Sequence, residues 1–198
     1  MSAGPRRALR EAILDATERL LARKGFQQMT MDDIAAESGV ARRTIYLHFK
    51  GKEQVALESI DRVVERLLER LKCVAGLSGT AEERLKAMLV ERVLFRFDSV
   101  REYHHSFTEM FAAIRPAYLA RREGYFAAES GVFAEVIAEG QQAGTIVPGD
   151  ASTMAHTLLL ATNSLLPFSL SARELGERET VQAMVERVAA LVVSGLKA

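Results

Sequence analysis

Residues 29–53 read MTMDDIAAESGVARRTIYLHFKGKE, and their charges are ordered by direction. Asp32 and Asp33 stand at the front, while Arg42, Arg43, Lys50 and Lys52 stand in the back half. A solvated face would mix the signs. The back half holds the groups that recognise a nucleic-acid duplex: arginine can bond both acceptors of a guanine edge, and Thr and Tyr hydroxyls reach phosphate oxygens. Arg42, Arg43, Thr44, Tyr46, Leu47 and His48 are the candidates for groove contacts, with Lys50 and Lys52 following as backbone anchors. The competing reading of the same residues is a short solvated helix pair in a bundle, where such charges carry no message.

Those side chains need elements to position them. Thr30 precedes Asp33 by three positions, so hydroxyl and carboxylate can satisfy the free amides of a helix start. Asp32 and Asp33 also favour the positive end of that helix dipole, which makes them caps rather than catalysts. The helix lasts to Ser38, Gly39 can take the positive φ of a sharp turn, and a second helix begins near Ala41. Ile34 and Ala35 of the first helix and Ile45 and Phe49 of the second can share one small core, with Ala35 small enough for close approach. This is the spacing of a helix-turn-helix over about residues 30–49.

The span from about residue 8 to 55 resembles the DNA-binding domain of the tetracycline-repressor (TetR) family. The family pattern runs Thr, Ile-Ala, Gly-Val, Thr-Leu/Ile-Tyr, Phe and Lys-Glu. It is met here by Thr30, Ile34-Ala35, Gly39-Val40, Thr44-Ile45-Tyr46, Phe49 and Lys52-Glu53. The resemblance implies that Thr30, Tyr46, His48 and Lys52 contact or position phosphates, and that Arg42, Arg43, Thr44 and Leu47 read base edges. Two positions depart from the pattern: Ala41, where Ser is frequent, and Arg43, where Gly is frequent. The resemblance further implies a homodimer on a palindromic operator of double-stranded DNA, a four-helix interface from the last two long helices, and a repressor released by a small-molecule effector.

The whole chain is compatible with that reading. Its 198 residues suffice for a buried core in one or two domains, and 48% hydrophobic with 26% charged residues is ordinary for a globular protein. The zero net charge hides an asymmetry: residues 1–52 hold ten Lys/Arg against six Asp/Glu, and residues 53–198 hold 16 against 20. A basic first quarter on an acidic body suggests a local partner for anions. Strand signals are nearly absent and only four prolines occur, so an all-α fold is expected; the resemblance implies its division into an N-terminal three-helix helix-turn-helix domain over residues 1–52 and a helical ligand-binding and dimerisation domain over 53–198. No apolar run reaches membrane-span length, no secretory leader is evident and the single cysteine, Cys73, has no internal partner; a cytoplasmic protein with no membrane contact is expected.

Apolar spacing predicts helices over about Arg6–Lys24, Lys52–Lys72, 81–98, 100–114, 117–143, 151–166 and 178–196. Gly25 supplies the first stop, Thr80 with Glu83 and Ser171 with Glu174 resemble capping boxes, Asp150 or its neighbours start a helix, and Pro116 is expected to break one.

The last helix places Val181, Met184, Val185, Val188, Val192 and Leu196 on one side, a candidate dimerisation face or a stripe packed on its own subunit. Nine of thirteen aromatics fall between residues 95 and 133. Core packing explains such a stripe by default, and so does the wall of a pocket for an apolar or aromatic ligand, with Phe95, Tyr103, His104, Phe107, Phe111, Tyr125 and Asn163 as lining candidates. No cofactor and no metal site is expected: Asp98, Glu102, His104, His105 and Glu109 are the one cluster of ligand types, and His105 with Glu109 falls opposite the aromatic stripe. No nucleophile elbow or phosphate-cradling Gly loop points to an enzyme. The alternative function is a DNA-independent helical protein that binds a small molecule.

Overall fold

The computed structural model describes residues 4–101, 104–167 and 176–198. Within them lie α1 (Pro5–Gln28), α2 (Met31–Ser38), α3 (Arg42–His48), α4 (Lys52–Ala75), α5 (Ala81–Val100), α6 (His104–Gln142), α7 (Ala151–Thr162) and α8 (Arg178–Ser194), with a 3-10 turn over Asn163–Leu165. The one β pairing among the described residues is an isolated antiparallel bridge between Ile146 and Lys197. The Ser171/Glu174 capping box falls outside the described residues.

The chain divides into two compact units, Met1–Val63 with Val100–Ala120 and Val64–Ser99 with Arg121–Ala198. In the first, α1 packs on α2 and α2 on α3. Ile13, Leu14, Leu20, Leu21, Ile34 and Ile45 are fully or almost fully buried there. Proline starts α1, where its missing N–H costs nothing, and Gly25 interrupts it with φ 74 and ψ 167. Helix α2 carries the reciprocal cap: Asp33 N donates to Thr30 Oγ1 at 3.1 Å, and Thr30 N donates to Asp33 Oδ2 at 3.0 Å. It ends at Gly39, whose φ of 68 and ψ of 12 are left-handed.

Arg62 of α4 ties the first unit together. Its side chain is 2% exposed, and Nη1 donates to Glu11 Oε2 at 3.1 Å and Asp15 Oδ1 at 2.6 Å, while Nη2 pairs with Glu18 Oε1 at 2.6 Å. Glu11, Asp15 and Glu18 recur at i, i+4 and i+7 on α1, so one guanidinium meets a whole acidic stripe.

The core of the second unit joins Leu67 and Leu71, Leu85, Met88 and Leu89, Phe133, Val136 and Ile137, Leu158 and Leu159, and Ala189 and Val193. Thr80 caps α5 through the expected box, with Thr80 N to Glu83 Oε2 at 2.8 Å. Asp150 caps α7 by accepting from Thr153 N at 2.8 Å. The expected break at Pro116 does not occur: α6 runs unbroken through it for 39 residues. Proline removes one ladder hydrogen bond, and long helical flanks on both sides tolerate that loss. Phe111 and Tyr118 meet edge-on across it at 5.0 Å.

Two outcomes are expected. Arg62→Met lowers unfolding free energy by about 2 kcal/mol in urea titration, less than for a sealed ion pair because the three acids keep solvent contact. The Asp33 carboxyl is lowered from its ordinary 3.8 to about 2, first by the hydrogen bond from Lys24 and then by those from Thr30. A depressed folded-state pKa stabilises above the unfolded value and is lost on acidification. The Asp33 contribution is therefore complete above pH 3.8 and fades as pH falls toward 2, and acid unfolding of Asp33→Asn lacks that component.

Candidate nucleic-acid interface

Helix α3 has one face in the core and one in solvent. Ile45 and Phe49 are 0% and 5% exposed, whereas Tyr46 is 45% and Leu47 75% exposed. Arg42, Arg43 and His48 are exposed beside them and Thr44 is half-buried. An apolar leucine held out in water at the centre of a basic face is what a thymine methyl in a major groove would cover. Ala41 offers no side-chain cap to this helix.

The cations around α3 fall into two groups. Arg42 is held: Nη1 lies 2.9 Å from Asp32 Oδ1, and its guanidinium carbon lies 5.5 Å from the centre of the Tyr46 ring. The Tyr46 contact, then the Asp32 charge, keep the guanidinium above its usual pKa. Lys24 pairs with Asp33 at 2.6 Å, and Arg19 and Arg23 share Glu37 at 2.7 Å each. Arg43 and Lys50 have no ion pair among the described residues, so their charges are open to phosphates. A groove of about 450 Å³ beside α3 brings Arg6 of α1 to the same wall as Leu47 and His48.

Two of the expected phosphate contacts are drawn back into the fold. Lys52 Nζ donates to the carbonyls of Phe26, Gln27 and Met29 at 3.0, 3.1 and 3.1 Å, closing the C-terminal end of α1 with all three of its protons. Thr30 Oγ1 donates to Asp33 Oδ2 at 2.8 Å and so lacks a proton for phosphate. Both are caps.

The expected aromatic wall is divided. Phe107 is buried and stacks on Phe111 at 5.8 Å in the first unit. Phe95, Tyr125 and Asn163 are half-buried in the second, where Phe95 packs on the core and Asn163 Oδ1 accepts from Arg92 Nη2 at 2.9 Å. Tyr103 and the His104 side chain lie outside the described residues.

The α8 stripe is also corrected. Val181 and Val185 are 0% exposed within the chain itself, so they cannot face a second copy, and Val192 and Leu196 pack against the chain's own core. Met184 and Val188 remain half-buried, and Leu191 at 73% exposure extends their line by helical spacing.

Sequence reasoning missed Asp32 as the partner of Arg42, having read it only as a helix-start acid. It also missed the buried trio of Arg92, Arg96 and Glu129. The signal was present: Leu85, Leu89, Arg92 and Arg96 continue one helical face, so two arginines sit in the apolar stripe of α5.

Residues 13–58 match the model of the family described as bacterial regulatory proteins, tetR family. Over those residues the chain is similar to the tetR family. It is 27% identical to the fatty acid metabolism regulator protein of Bacillus subtilis, over 76% of this chain and 77% of that one. It is 29% identical to the HTH-type transcriptional regulator YerO of the same organism, over 48% of this chain, and this match spans only 32% of YerO. Among solved structures, a TetR/AcrR-family transcriptional regulator from Thermobifida fusca superposes with a TM-score of 0.66 at 25% identity, covering 96% of this chain and 98% of that one. Among the described residues, no helix is long and apolar enough to cross a membrane, and no group of three His, Cys, Asp or Glu is placed to hold a metal ion.

The two groups of cations predict different substitution outcomes. Arg43→Gln should lower the slope of log affinity for DNA against log salt by about 1. Lys52→Gln should lower the melting temperature and leave that slope unchanged, as read by filter binding and thermal denaturation. Asp32→Asn should raise affinity for random duplexes by releasing Arg42.

Proposed function

We propose that the protein is a transcriptional repressor that binds a palindromic operator as a homodimer and leaves it when a small apolar molecule binds. In this reading residues 1–52 contact DNA and residues 53–198 hold the effector and the dimer contact. The observation that carries it is the outer face of α3, where Arg42, Arg43, Tyr46, Leu47 and His48 stand in solvent around a helix anchored by Ile45.

Direct reading would fall to Arg42, Arg43, Leu47 and the half-buried Thr44, with Tyr46, His48 and Lys50 on phosphates. One such helix touches too few base pairs for selective binding. Two of them about 34–36 Å apart read both halves of an inverted repeat in successive major grooves. The second copy would cover apolar side chains left in water: Leu160 of α7 is 52% exposed, and Met184, Val188 and Leu191 line α8, which packs beside α7. An interface built from one patch on each copy is two-fold by construction.

An effector acts by binding one conformation more tightly than the other, so its differential affinity sets how far DNA is released. The relative named as a fatty acid metabolism regulator favours a ligand with an extended apolar portion.

Selection from random duplexes tests this function. It should return an inverted repeat whose affinity falls steeply with salt. Leu191→Glu should shift sedimentation from dimer to monomer and weaken binding to that repeat at least tenfold. Recovery of no common sequence, or of a single half-site bound by monomer, overturns the proposal.

A further inference from the structure

Helix α5 carries two arginines one turn apart that point into the second unit. Arg92 is 1% and Arg96 8% exposed. Arg92 Nε donates to Glu129 Oε2 at 2.7 Å, Nη1 to Thr162 Oγ1 at 2.9 Å, and Nη2 to Asn163 Oδ1 at 2.9 Å. Arg96 Nη2 donates to the other Glu129 oxygen, Oε1, and its Nη1 reaches the Arg92 carbonyl at 3.4 Å.

Glu129 has one negative charge, and a guanidinium occupies each of its oxygens. Burial pushes its carboxyl up, but Arg96 and Arg92 more than offset this and hold it below the usual carboxylate range. That single charge is divided, so Arg96 receives only part of it. Arg96 has five N–H groups and makes two hydrogen bonds among the described residues, one of them long. Thr162, Asn163 and the carbonyls that accept from these arginines are neutral. A cation held in an apolar interior without full compensation is costly, and a small anion removes the cost.

The neighbours suit an amphiphile. Phe126 lies under Arg92, with its ring centre 5.9 Å from the guanidinium carbon, and is half-buried against the core. Asn163 presents its carbonyl oxygen to Arg92, which fixes the amide orientation and leaves its NH2 group as a donor without a described partner.

We propose that Arg96 and the Asn163 amide form an anion subsite that takes the carboxylate of an otherwise apolar ligand, with Arg92 and Glu129 as the residues that position them. The subsite names the chemical class of effector for the function proposed above. It rests on that function only for the consequence at DNA, because binding itself can be measured without DNA.

The test titrates the full chain with decanoate and 2-naphthoate, each against its methyl ester, by calorimetry and thermal shift. Wild type should bind each acid at least tenfold more tightly than its ester. Arg96→Gln should abolish that preference while leaving ester binding unchanged, and Arg96→Lys should restore part of it. Asn163→Leu, at a half-buried position that folding tolerates better, should reduce acid affinity alone. Equal binding of acids and esters, no binding by either, or an acid preference that survives in Arg96→Gln or Asn163→Leu overturns the subsite. Acid binding that leaves a protein–operator complex intact upholds the subsite and counts instead against effector-driven release.

Discussion

A left-handed backbone at Gly39 is the constraint on which the DNA-facing half depends. Its φ of 68 and ψ of 12 turn the chain from α2 into α3 within three residues. A side chain added there would meet nothing within 4 Å, so the requirement is conformational rather than steric. An L-residue in this region costs about 1–2 kcal/mol, which glycine avoids. The turn decides which way α3 faces: Ile45 closes the small core and Leu47, two positions on, stands in water.

Most of the basic charge near that turn is committed to folding. Lys24, Arg19 and Arg23 hold α1 to α2 through Asp33 and Glu37, Lys52 seals the end of α1, and Arg62 gathers three acids along it. The positive balance of the first 52 residues is therefore a poor measure of the charge available to a duplex. What matters is the small remainder, chiefly Arg43 and Lys50, with Arg42 held beside Tyr46 by Asp32. The position where the family pattern often has glycine has an arginine here, and it contributes one of the few uncommitted cations.

Local signals were legible in the sequence because they depend on residues within one turn. The Thr30/Asp33 and Thr80/Glu83 boxes, the Asp150 cap and the glycine interruptions at 25 and 39 are all of this kind. Features that depend on distant partners were not legible. Apolar periodicity marked a stripe on α8 but could not say what covers it, and Val181 and Val185 turn out to face their own chain while the exposed Leu191 lay off the expected set. Lys52 looked like a free cation because the carbonyls that hold it lie 23 to 26 residues earlier. Arg92 and Arg96 went unread although they continue the apolar stripe of α5, because Glu129, the acid that holds both, lies 37 and 33 residues away. Pro116 failed as a break because the turns on either side keep their own hydrogen bonds.

Photo-crosslinking from α3 tests the central claim most directly. With benzoylphenylalanine at position 47 and the duplex recovered by selection, irradiation should attach the protein to bases at two places one helical turn apart, and the same probe at the exposed Leu77 should attach nowhere. Crosslinking from position 77 but not 47, or from neither while the protein stays bound, would show that another surface holds the DNA.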